Sequence, residues 1–258
     1  MRIITLNING IRAGARKGFF PWMIRQKADV VCLQETRAQF NQIESDPIYF
    51  PRNYHYYHAD AERKGYSGVA IYSRRRPDDV VSGLGWPDID AEGRYLQIDF
   101  EGLSVISLYV PSGTSGDLRQ SFKYGFMDRF ESVLAEKMNS GREVVICGDW
   151  NIAHRNIDLR NWRSNQKNSG FLPDERKWMD WLFDEAAYVD AFRTVNQQED
   201  QYTWWSNRGQ AWAKNVGWRI DYQIITPGLR DKVRAASIYK RKRFSDHAPL
   251  IIDYDVHP

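Results

Sequence analysis

The chain has 258 residues, a net charge of +3 and 42% hydrophobic residues. That length supports one large core, and no Gly-, Ser- or Pro-rich stretch divides residues 1–258, which read as a single domain. The balanced charge does not by itself announce a nucleic-acid partner, no apolar run approaches the ~20 residues of a membrane span, and the opening residues lack a secretory signal, so a cytoplasmic, monomeric protein is expected.

β-branched runs predict strands at residues 3–6, 30–33, 69–72, 95–100 and 103–110, the last two joined by Glu101-Gly102 as a hairpin. A helix follows over residues 117–138, with Leu118, Phe122, Phe126, Phe130, Val133 or Leu134, and Met138 at helical spacing. After a strand at 144–147, a second helix begins near Pro173 and shows Trp178, Trp181 and Leu182 on one face. Strands at 220–226 and 250–254 complete the pattern, which predicts an α+β protein of packed sheets covered by helices. Cys32 and Cys147 each sit in an apolar run and are expected as packed thiols, too few for a disulfide framework. The basic runs Arg74-Arg75-Arg76 and Lys240-Arg241-Lys242-Arg243 read as solvated faces.

Polar residues repeatedly end these apolar runs, where a side chain reaches the rim of a sheet. Asn7, Glu35, Tyr109, Asp149 with Asn151, and Asp246-His247 all stand so, and Asp221 lies within Trp218-Arg219-Ile220-Asp221-Tyr222. Asn, Glu and Asp supply the hard oxygen ligands of Mg²⁺ or Mn²⁺, and no Cys/His spacing suits zinc. Such a set points to phosphate chemistry, with His247 beside Asp246 as a phosphate donor or proton carrier. His55, His58, His154 and His257 read as structural.

The segments N-I-N-G-I-R-A, L-Q-E-T, R-K-G-Y-S-G-V-A, Y-V-P, C-G-D-W-N-I-A-H, N-Q-K-N-S-G-F, N-V-G-W-R-I-D-Y and F-S-D-H-A-P-L occur in that order. With them the chain resembles, from end to end, the exonuclease III family of abasic-site endonucleases within the DNase I-like phosphodiesterases. The resemblance implies a four-layer α/β sandwich of two packed mixed sheets flanked by helices. It implies that Glu35 is the main metal ligand, assisted by Asn7 and Asp246, with a second metal position at Asp149, Asn151 and His247. Asp149 is expected to orient or deprotonate the attacking water, although whether Asp149 or His247 is the base stays open. Asn151 is expected to hold a phosphate oxygen, and His247, paired with Asp221, to contact the scissile phosphate beside Tyr109.

The same resemblance assigns Trp204, Trp218 and Ile220 to a slot for a sugar lacking its base, and Arg12, Lys17, Tyr66, Asn165 and Asn168 to DNA-backbone contacts. Its implied partner is double-stranded DNA with abasic or blocked 3′ ends. The chain departs from the family at Ser112, where Asn is common, and in a loop from Gly113 to Asp117 that reads as longer than in short members. Both leave the balance of endonuclease, 3′-exonuclease and 3′-phosphatase activity open. The rival reading is a catalytically inactive, RNA-associated regulator of the catabolite repression control type.

Overall fold

The computed structural model describes residues 1–256. In chain order the elements are β1 (Arg2–Asn7), α1 (Ile11–Arg16), α2 (Phe19–Gln26), β2 (Val30–Gln34), β3 (His55–Ala59), β4 (Val69–Ser73), β5 (Asp79–Ser82), α3 (Pro87–Asp90), β6 (Tyr95–Phe100) and β7 (Leu103–Tyr109). They continue with α4 (Asp117–Asn139), β8 (Glu143–Asp149), α5 (Trp162–Asn165), α6 (Pro173–Asp184), β9 (Val189–Asp190), α7 (Ala191–Val195), β10 (Asp221–Ile225), β11 (Val233–Ile238) and β12 (Leu250–Tyr254).

The strands form two mixed sheets of six, ordered β11-β12-β1-β2-β4-β3 and β5-β6-β7-β8-β10-β9. Ile3, Cys32, Val69, Val105, Val145, Cys147 and Ile225 fill the space between the sheets. Ile4, Leu6, Val31 and Leu33 face outward onto Phe19, Phe20, Trp22 and Met23 of α2. On the other sheet Ile106, Val144, Ile146 and Ile224 face Phe126, Phe130 and Leu134 of α4 and Trp178 and Leu182 of α6. Central strands buried on both faces are mostly apolar, their few polar residues such as Gln34, Ser107 and Gln223 being hydrogen-bonded inside, which is why they read as nearly continuous runs in the sequence. Each fully buried Ile or Leu contributes about 1.5–3 kcal/mol, so these covered faces hold the four layers together.

Strands β3, β5, β9 and β11 and helices α1 and α2 carry too weak a pattern for the sequence reading. β5 is exposed along its whole length and β9 has only two residues. Edge strands need no second apolar face, so their sequences do not announce them. Helices α1 and α2 are cut apart at Gly18, whose φ of 82° is left-handed. Pro21 lies in the first turn of α2, where backbone N–H groups have no helical partner to lose.

One expectation needs correction: Leu118, read as part of the apolar stripe of α4, is 89% exposed. Lys123, between two positions of the apolar stripe, is fully buried. Of the histidines read as structural, His55 is exposed, His58 stacks on Phe40, and buried His154 bonds Asp180. His257 lies outside the described residues.

Candidate active site

The register of the sheets brings the polar strand ends together. In one sheet Tyr109 of β7 pairs with Asp149 of parallel β8, and Asp149 pairs with Asp221 of antiparallel β10, so three polar side chains share a row. In the other, Asn7 of β1 pairs with Gln34 of β2, which places Glu35 just beyond the same end. The close approach of β7 and β8 requires glycine at 148, because a Cβ there would lie 2.0 Å from the Leu108 carbonyl oxygen.

Glu35, Asn151 and Asn9 leave their strands in left-handed backbone, at φ of 51°, 53° and 46°. Such residues cost on the order of 1 kcal/mol or more and persist only where surrounding bonds hold them. Here Gly10 N donates to Glu35 O at 2.8 Å and Asn151 N to Asp149 Oδ1 at 2.9 Å.

Asn7 joins the two sheets: its Nδ2 donates to Glu35 Oε1 at 2.7 Å and to Asp149 Oδ2 at 2.9 Å. Tyr109 OH donates to Glu35 Oε1 at 2.9 Å, and Arg37 Nε to Glu35 Oε2 at 2.8 Å. His247 Nδ1 lies 2.8 Å from Asp221 Oδ2, while its Nε2 stands 3.9 Å from Asp149 Oδ2. Asn151 Nδ2 is fixed by the Val110 carbonyl at 2.8 Å. Asp246, lining the same cleft as Glu35, accepts from Asn9 at 2.7 Å, Ser245 at 3.0 Å and Trp204 Nε1 at 3.1 Å. Arg37 and Asn9 are the neighbours of Glu35 and Asp246 that sequence reasoning missed; each lies two residues from an assigned site residue.

Burial and the neighbouring Asp221 push the Asp149 carboxyl up to about 7. Burial opposes a charge on His247, but Asp221, Asp149 and Asp246 overcome it and raise the ring to about 10. These shifts favour the charged ring of His247 at neutral pH, where it donates hydrogen bonds, and bring the Asp149 carboxyl near neutrality. Asp246 is held down at about 2 against its burial, by His247 and the donors Asn9, Trp204 and Ser245.

A cleft of about 1460 Å³ opens over this centre and is lined by Tyr66, Ser112 to Asp117, Asn165, Asn168, Trp204, Trp218 and Ile220. Trp204 and Trp218 meet edge to face at 6.2 Å, and Phe171 closes on Trp218 at 6.4 Å. Ile220 is buried among them while both Trp rings keep part of their surface open, so the slot is apolar and accessible. Ser112 Oγ lies 3.0 Å from Thr114 Oγ1 at the opposite wall. Arg12 and Lys17 do not line the cleft but stand exposed on α1 and just after it.

Beneath the site lies an ion pair without a sequence signal. Lys123 Nζ donates to Glu175 Oε1 at 2.5 Å and to the Asn151 carbonyl at 2.8 Å. Glu175 Oε2 accepts from Gly170 N at 2.7 Å and Leu172 N at 3.0 Å. Both side chains are 0% exposed. Removing one partner strands the other charge, so Lys123→Met is expected to destabilise the fold by about 3–5 kcal/mol. Lys123→Met with Glu175→Gln should regain most of that loss, as read by denaturant unfolding; equal stabilities for wild type and Lys123→Met would contradict the pairing.

The donor set fits a hard divalent cation. Asp149, Asp221 and His247 present ligand atoms within 4.8 Å of one another, Asp221 Oδ1 is buried without a hydrogen-bond partner, and Glu35 and the Asn7 amide face the same space. Hard cations prefer oxygen, so the oxygen atoms of Glu35, Asn7, Asp149 and Asp221 suit such an ion, with His247 at the edge of the same group.

Residues 4–247 match the model of the endonuclease/exonuclease/phosphatase family, whose members are metal-dependent. The chain is 38% identical over 252 residues to an exodeoxyribonuclease of Bacillus subtilis, covering 97% of this chain and 98% of that one. It is 33% identical to a DNA-(apurinic or apyrimidinic site) endonuclease of Dictyostelium discoideum, covering 100% of this chain and 71% of that protein. An AP endonuclease structure from Archaeoglobus fulgidus superposes with a TM-score of 0.89 at 29% identity, covering 99% and 100% of the two chains. Sequence motifs, the two-sheet fold and these likenesses agree: the chain belongs to the endonuclease/exonuclease/phosphatase family, in its exonuclease III branch.

Proposed function

We propose that the protein hydrolyses the DNA backbone on the 5′ side of abasic sites, leaving a 3′-hydroxyl, and that the same centre trims blocked 3′ ends. The observation that carries this reading is the apolar Trp204–Trp218–Ile220 slot opening beside Asp149 and His247 in one cleft, with buried Asp221 holding His247 from behind. A sugar without its base is cheap to extrude and fits such a slot, whereas a full nucleotide is excluded by size.

Asp149, near neutrality in its free-carboxyl titration, orients and deprotonates the attacking water. His247, charged and fixed by Asp221, donates to a phosphate oxygen; Asn151 and Tyr109 hold the remaining oxygens. Glu35 and Asn7, with Asp246, would hold a Mg²⁺ or Mn²⁺ ion, which when bound would supply positive charge against the negative charge that gathers on pentacoordinate phosphorus. Tyr66, Asn165 and Asn168 grip the backbone on the cleft walls, and Arg12 and Lys17 extend that grip outside it. The rival reading as an inactive RNA-associated regulator finds no support, since the relatives are named as nucleases.

A cleavage assay on duplexes with and without one abasic analogue tests the reading; equal rates on both would overturn it. Trp218→Ala, which widens the slot, is expected to lower the preference for abasic over intact DNA about tenfold or more, with a smaller loss of metal-dependent cutting; 1.4 kcal/mol of lost discrimination is tenfold. Full abasic preference in that variant would mean that the ring is only core.

A further inference from the structure

The two basic runs lie at opposite poles of one sheet. β4 pairs Val69 with Gln34 at the catalytic end and Ser73 with Val30 at the other, so Arg74-Arg75-Arg76 leaves the far end, about 13 Å along the strand. There the Arg74 amide bonds Asp29, and Asp78 and Asp79 follow at once. β11 and β12 pair Ile238 with Leu250, and Leu250 pairs with Thr5, so Lys240 to Arg243 emerges at the catalytic end and runs directly into Asp246 and His247.

The run is also held in place. Tyr239 and Phe244, on either side of it, stack at 6.2 Å and pack on Trp22 at 4.9 and 5.1 Å. Arg243 donates to Asn207 at 2.7 Å and lies over Trp212, which ties the run to the segment that carries the Trp204–Trp218 slot. On the other side Lys242 Nζ reaches within 2.8 Å of where a Gly18 Cβ would stand, beside Lys17 and Arg16. Lys240, Arg241 and Lys242 are exposed, and among the described residues none of them forms an ion pair. Lys242 Nζ also lies over the Phe244 ring at 5.8 Å, and a charge run that merely solvates its surface needs neither aromatic anchors at both ends nor three cations without an ion-pair partner at the catalytic end of a sheet.

We propose that Lys240, Arg241 and Lys242, with Arg16 and Lys17, form a backbone-binding track for duplex DNA that continues the cleft beyond the lesion. The inference rests on the reading of this protein as a duplex-DNA phosphodiesterase. Contacts of this kind add affinity without sequence preference and release counterions, about 0.9 in the slope of log K against log salt per phosphate.

The test compares wild type with Lys240→Ala/Arg241→Ala/Lys242→Ala and with Arg74→Ala/Arg75→Ala/Arg76→Ala, which removes the same charge from the far pole. Binding to an abasic-analogue duplex is titrated over a range of salt, and melting midpoints check the fold. The loop variant should lose about two to three units of slope and on the order of tenfold in affinity, while the far-pole variant keeps the wild-type slope. If the loop variant melts early, Lys240→Ala/Lys242→Ala is used, with a loss of one to two units expected. An unchanged slope in a folded loop variant, or equal losses at both poles, overturns the track. A wild type that neither binds the lesion duplex nor cuts it overturns instead the functional reading beneath it.

Discussion

Asp149→Asn is expected to bind an abasic duplex as wild type does and to cleave it at least ~100-fold more slowly, the usual scale for losing a positioned acid or base. The substitution keeps the size of the side chain but leaves one acceptor oxygen where the carboxylate has two. Asn7 Nδ2 and Asn151 N now donate to separate oxygens of Asp149, so one of them loses its partner. That costs about 1–3 kcal/mol, which a domain of this size tolerates. The larger consequence is chemical: an amide cannot accept a proton from water. His247 is held by Asp221, which together with Asp246 favours its charged ring, a donor and not an acceptor of protons. Single-turnover cleavage and equilibrium binding should be scored separately on matched duplexes. Normal cleavage would transfer the water-activating role away from Asp149.

Glu35→Ala should lower turnover by two or more orders of magnitude and raise the Mg²⁺ or Mn²⁺ concentration needed for the activity that remains. Its carboxylate gathers Asn7 and Tyr109 on one oxygen and Arg37 on the other, and stands in left-handed backbone that the fold maintains at a cost. Without it Asn7 Nδ2 keeps only Asp149, Tyr109 OH loses its acceptor, and the hard-oxygen set loses one of its charges. Metal titration of the variant, alongside wild type in excess chelator, measures the dependence. Full wild-type turnover in chelator would remove the cation from the chemistry altogether, and an unchanged metal requirement in Glu35→Ala would move the site elsewhere.

Much of this was legible in the sequence for a physical reason. Strands covered on both faces are mostly apolar, so β1, β2, β4, β6, β7, β8, β10 and β12 stand out as runs, and a polar residue that ends such a run marks a rim. Asn7, Glu35, Tyr109 and Asp149 were found that way, whereas Asp221 was marked by the segment Trp218-Arg219-Ile220-Asp221-Tyr222 around it. The same logic fails for β5, exposed throughout, and for the two-residue β9, since nothing buries enough of them to constrain their residues.

Tertiary structure alone decided what depends on two chain segments meeting. The sequence lists Tyr109, Asp149 and Asp221 more than a hundred residues apart from first to last; strand register puts them in one row. It could not say that Lys123, on an apolar helix face, is paired with Glu175 beneath Asn151, because a buried charge is stable only beside a partner supplied by distant chain. Nor could it separate two similar basic runs: composition gives both the same charge, and only the direction of β4, β11 and β12 sends one to the far pole and the other to the edge of the cleft.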